Sequence, residues 1–176
     1  MTRYWAKRFP NSTFIGYDID KEYIQKANDK VKEENATNVS YVVQDGCQLP
    51  PSWNSKFDMI FCILMVHDVP YVHTFLKEIK RSLKIDGLLI LVEARCKSKL
   101  EDNIDIPTAR ETYAYSLFHC LPVSLYHDGS EGVGLTWGVE KVQKALQNVG
   151  FTVVHLLECT DIFHPRAYFL CRNSPN

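Results

Sequence analysis

Apolar residues in this chain fall into short dense runs, separated by segments in which they recur every three to four positions. The runs are TFIGYD (13–18), VSYVVQD (39–45), FDMIFCILMV (57–66), LLILVEA (88–94), FTVVHLLE (151–158) and AYFLCR (167–172). Runs of this length, rich in β-branched and aromatic residues, predict strands. TFIGYD and FDMIFCILMV show no polar alternation and so predict strands buried on both faces. Between the first two runs, KEYIQKANDKVKEEN carries Tyr23, Ile24, Ala27 and Val31 at helical spacing, with Asp20 at the N-cap position. A second amphipathic helix places Val72, Phe75, Leu76, Ile79 and Leu83 on one side, and Ile85-Asp86-Gly87 turns the chain into the next strand. A third, VEKVQKALQNVG (139–150), ends on Gly150. Residues 2–9 have helix-compatible spacing and stop at Pro10-Asn11.

Strands alternating with helices predict an α/β fold with a Rossmann-like, doubly wound, mostly parallel sheet. DIFHPR is too short for a helical crossover between the last two strands, which should therefore form a C-terminal antiparallel hairpin. Residues 95–137 break the alternation with a charged stretch, a predicted helix from Thr108 to Cys120 and the loop HDGSEGVG. They read as a helical insert, within a single domain spanning 1–176.

Composition narrows the classes. A chain of 176 residues, 45% hydrophobic and 23% charged, is ordinary for a globular protein. A net charge of −1 with no basic stripe argues against a nucleic-acid partner. The longest apolar run is far too short to span a membrane, and no signal-peptide pattern opens the chain. Six scattered cysteines without a C-x-x-C fit buried thiols in a reducing compartment, so the expected location is cytoplasmic. The histidines lie far apart and show no metal-binding spacing, so no metal is expected.

Four segments stand in a distinctive order: FIGYDID, VVQDGCQLP, FDMI and LKIDGLLILVE. In this order the chain resembles the class I S-adenosylmethionine-dependent methyltransferases. The resemblance implies S-adenosylmethionine as cofactor. It implies that Asp18 holds the ribose hydroxyls and that Ile19 walls the adenine. Asp45 would accept from the adenine amine, with Gly46 and Cys47 beside the ring. Cys62 would lie beside the cofactor at the end of the central strand. Each also has a local explanation: Asp18 as a carboxylate near a helix N-terminus, Asp45 as a turn former, Cys62 as a small buried apolar residue. VHDV (66–69) resembles the His-Asp after the fourth strand of small-molecule O-methyltransferases, which makes His67 the candidate general base. His67-Asp68 would otherwise simply open the next helix.

The insert ETYAYSLFHCLPVSLYHDGSEGVGLTWG resembles that of a subgroup which often carries an N-terminal winged-helix domain. There it serves as a lid, and Tyr113, Tyr115, Phe118, His119, Tyr126 and Trp137 are candidates to line a substrate cavity or to bury against the sheet. Only thirteen residues precede Phe14 and none is glycine, so the family's first strand and Gly-rich motif are not in this sequence. The expectation is an N-terminally truncated methyltransferase acting on an oxygen or similar nucleophile of a small molecule, with homo-oligomerisation left open. The alternative is a catalytically inactive, protein-binding module of the same fold. A nicotinamide enzyme fits less well, because it predicts a parallel last strand and leaves Asp45 without a role.

Overall fold

The computed structural model describes residues 1–159 and 165–174, which divide into two compact units, Met1–Leu49 and Pro50–Asn176. In the first unit, helix α1 (Thr2–Arg8) precedes strand β1 (Phe14–Asp18), helix α2 (Lys21–Glu33) and strand β2 (Val39–Val43). Strands β1 and β2 pair in parallel, Phe14 opposite Val39 through Asp18 opposite Val43. Asp20 caps α2 by accepting from the backbone N–H groups of Glu22 and Tyr23 at 2.8 and 3.1 Å. The free edge of β2 is met by α2: Asn28 donates to the Tyr41 carbonyl at 2.9 Å and accepts from the Tyr41 N–H at 3.2 Å. Asn38 ties the end of α1 to β2 by donating to the carbonyls of Ala6, Phe9 and Ser12. Gly16 is demanded by Tyr41, whose ring would lie 2.5 Å from any Cβ at that position.

The second unit holds β3 (Phe57–Ile63), α3 (Val72–Ser82), β4 (Leu83–Ala94), α4 (Ala109–Tyr115), α5 (Leu121–Ser124), α6 (Val139–Asn148), β5 (Thr152–Cys159) and β6 (Arg166–Arg172). Its sheet runs β3-β4-β6-β5. Strands β3 and β4 are parallel, as a crossover through α3 requires. Strand β6 is antiparallel to both β4 and β5, which is the expected hairpin. Most of the DIFHPR connection falls in residues 160–164, outside the described residues. Val72, Phe75, Leu76 and Ile79 bury the apolar face of α3, and Val139, Val142 and Leu146 bury that of α6. Lys80 joins α3 to the C-terminal segment by donating to the carbonyls of Gly150 and Ser174 and to Asn173 Oδ1.

Four elements depart from the sequence pattern. Strand β3 has β4 as its one strand neighbour among the described residues, so Met59 is 42% exposed although the run reads as a central strand. Strand β1 likewise has only β2, and its residues are half-buried or exposed. The insert helix runs on past Cys120, because residues Ser116–Cys120 form a π-turn and α5 follows directly. Pro122 follows the π-turn directly, within the first two positions of α5. Strand β4 starts at Leu83 and passes through Asp86, whose φ of 62° takes up the predicted turn as an irregularity within the strand.

Candidate functional site

The first unit holds five of the six proposed cofactor residues, Asp18, Ile19, Asp45, Gly46 and Cys47, at one end of its sheet. Asp18 closes β1, and its backbone carbonyl accepts from the Gln44 N–H at 2.9 Å, so Asp18 and Asp45 stand at neighbouring C-terminal strand ends. Ligands of open α/β sheets bind at this end. Each carboxylate is oriented by the backbone just beyond it. Asp18 Oδ1 accepts from the Asp20 N–H at 2.9 Å, and Asp45 Oδ1 accepts from the Cys47 N–H at 2.8 Å. Both side chains stay exposed. The helix cap is Asp20, so Asp18 is not consumed in starting α2. Ile19 is 72% exposed just past the strand tip, and Gly46 and Cys47 are half-buried in the following turn. Two oriented carboxylates beside an exposed apolar residue suit a ribose diol and an aminated aromatic ring.

The second unit builds a buried polar centre at the C-terminal ends of β3 and β4. Leu64, just past β3, has a φ of 50°, a left-handed conformation that costs a bulky residue roughly 1 kcal/mol or more. That bend turns Val66–Asp68 under the end of β4. Glu93, 1% exposed, clamps the bend with both oxygens: Oε1 accepts from the Val66 N–H at 3.2 Å, and Oε2 accepts from His67 Nδ1 at 2.5 Å. An Nδ1–H bound to a carboxylate leaves the Nε2 lone pair as the basic atom of the neutral ring. That atom faces Asp68 Oδ1 at 3.6 Å. Burial pulls the His67 pKa down, but the hydrogen bond and charge of Glu93, joined by Asp68, outweigh it and hold the imidazole above its ordinary 6.5.

Cys120, at the end of the π-turn, completes this centre: its sulfur, His67 and Asp68 place ligand atoms within 4.8 Å of one another. The Cys120 thiol is pushed up to about 11, by burial first and then by Asp68. Cys62 lies inside β3 opposite Leu91, is 3% exposed, and is pushed up to about 12 by burial and then Glu93. It is a packed thiol.

Glu93 escaped the reading of the sequence. Its signal was a single carboxylate in the otherwise apolar run LLILVEA, which only a buried partner explains. Of the insert aromatics, Tyr115, Phe118, His119 and Tyr126 are exposed, whereas Trp137 is buried and Tyr113 is half-buried with its hydroxyl accepting from Asn103.

The family model described as a methyltransferase domain matches residues 1–91, more than half of the chain. The chain belongs to this methyltransferase family. Its fold is that of the class I S-adenosylmethionine-dependent methyltransferases, and family membership implies S-adenosylmethionine as cofactor. A putative methyltransferase from Bacillus halodurans is similar over 99% of this chain and 89% of its own, at 15% identity and a TM-score of 0.73. An S-adenosylmethionine-dependent methyltransferase from Aquifex aeolicus is similar over 91% of this chain and 68% of its own, at 17% identity and a TM-score of 0.63. The cyclase SpnF is similar over 94% of this chain and 67% of its own, at 12% identity and a TM-score of 0.67. No curated protein matches the sequence. Among the described residues no helix is long and apolar enough to cross a membrane.

Proposed function

We propose that this protein transfers a methyl group from S-adenosylmethionine to an oxygen or similar nucleophile of a small molecule, with His67 as general base. Bound cofactor supplies a sulfonium-borne electrophilic methyl group. Asp18 would hold the ribose hydroxyls and Asp45 the adenine amine, with Ile19, Gly46 and Cys47 around the ring. The observation that carries the reading is the buried His67–Glu93 pair. A hydroxyl attacks carbon better as it loses its proton, and a neutral imidazole with a fixed lone pair at Nε2 can take that proton. Glu93 holds the ring and its tautomer in place and stabilises the imidazolium that forms. The buried thiols support a reducing, cytoplasmic location. Residues 95–137 act in this reading as the substrate-facing part of a single domain.

The test is methyl transfer from radiolabelled S-adenosylmethionine by the full chain to a panel of small phenols, alcohols and amines. Transfer to a hydroxyl acceptor that falls on the order of a hundredfold in His67→Gln is the expected result. Equal rates for the variant and the wild type would overturn the role of His67. A folded chain that binds cofactor but methylates no acceptor would favour the inactive-module alternative.

A further inference from the structure

His67, Asp68 and Cys120 hold more chemistry than proton transfer needs. Their ligand atoms lie within 4.8 Å of one another, and Nε2 of His67 stands 3.6 Å from Asp68 Oδ1. A tetrahedral zinc ion with bonds of about 2.0–2.3 Å sets its ligands roughly 3.3–3.8 Å apart, so modest side-chain movement would close the set. Asp68 Oδ1 is a buried oxygen whose polar neighbours are His67 Nε2 at 3.6 Å and the Cys120 thiol, so the three groups face one another and a cation between them would satisfy all three. His67 is itself 3% exposed and directs Nε2 into the cluster. On its far side, Nδ1 is held by Glu93, the carboxylate–histidine arrangement that orients metal-binding imidazoles. Cys120 is brought in by the π-turn, a distortion that often marks functional positions.

We propose that His67 Nε2, Asp68 Oδ1 and Cys120 Sγ form a three-ligand zinc site with an open fourth position, and that zinc bound there silences His67 as a base. One nitrogen, one oxygen and one sulfur ligand suit zinc better than magnesium or calcium. Binding releases the Cys120 thiol proton to solvent as the Zn–S bond forms, and no electron is transferred. The Asp68 carboxylate and the Cys120 thiolate then face the dication, Glu93 lies behind the imidazole at Nδ1, and the Arg166 guanidinium acts electrostatically on His67 with the opposite sign. The inhibitory half of the proposal rests on the general-base reading; the binding half does not.

The test uses the full chain, freed of metal by chelator and checked for folding by circular dichroism. Zinc is titrated against a chromophoric chelator, and cobalt(II) serves as spectroscopic probe. The expected results are one zinc per chain and a thiolate-to-cobalt charge-transfer band. The band should be lost in Cys120→Ser and kept in Cys159→Ser. Zinc affinity should fall at least tenfold in both Cys120→Ser and Asp68→Asn. Absence of the band from the folded wild type, or unchanged zinc affinity in whichever of these two variants folds, would overturn the site. Zinc should also inhibit methyl transfer, and that inhibition, relative to each protein's metal-free rate, should weaken at least tenfold in Cys120→Ser. Zinc binding without any methyl transfer would count against the general-base reading and leave the site standing. Transfer without zinc binding would do the reverse.

Discussion

Glu93 is the one charged side chain between Leu88 and Ala94, and a buried carboxylate is tolerable only when its oxygens are engaged. Engagement with His67 makes the rate pH-dependent in a specific sense. A base works only when neutral, and the folded His67 pKa lies above 6.5, so metal-free kcat should fall as pH drops through that raised value. Glu93→Gln removes the charge that raises it. The acidic limb of the kcat profile should then move to lower pH, and kcat should fall while KM holds. An unmoved limb would detach Glu93 from the base. Stability carries the same linkage. A pKa raised by folding contributes stability that is fully present below 6.5 and is lost as pH rises through the folded value. The melting-temperature advantage of the wild type over His67→Gln should therefore shrink from acidic to alkaline pH. At the cofactor end, loss of a hydrogen bond to a charged group is worth about 1.5–3 kcal/mol, or roughly 10- to 100-fold in affinity. Asp45→Ala should weaken S-adenosylhomocysteine by that factor in isothermal titration, and unchanged affinity would remove Asp45 from the site.

At the scale of elements, α6 shows how one helix is held at both ends. Gly138 precedes it with a φ of 84°, and a Cβ there would sit 2.4 Å from the backbone nitrogen of Ser98. Both the conformation and the contact oppose any side chain. Gly138→Ala should lower stability by about 2 kcal/mol or more, read as a shift in the urea midpoint at constant slope. At the other end Leu146 is fully buried, and Leu146→Ala should cost about 2–5 kcal/mol through lost burial and the cavity left behind. The spacing of Val142 and Leu146, four residues apart, is compatible with one helical face. It could not identify Gly138, because a positive φ and a close backbone neighbour leave no trace in a hydrophobic pattern.

At the scale of the molecule, β3 is an apolar strand with one neighbouring strand among the described residues and an exposed Met59. An apolar edge invites strand pairing between chains. Met59→Lys should lower concentration-dependent association, followed by light scattering, without loss of folded secondary structure. An unchanged association rate would show that this edge is not the route.

The family resemblance named Asp18 and Asp45 as candidates, whereas the order of strands and helices, the terminal hairpin and the N-cap at Asp20 were legible in the residues themselves. Each depends on residues a few positions apart, and local periodicity and turn chemistry record such relations directly. The pairing of His67 with Glu93 spans 26 residues, and the approach of Cys120 depends on a π-turn in an irregular insert. Neither leaves a periodic signal. Burial beside a strand end, and the need of a buried charge for a partner, decided them only once the chain had folded.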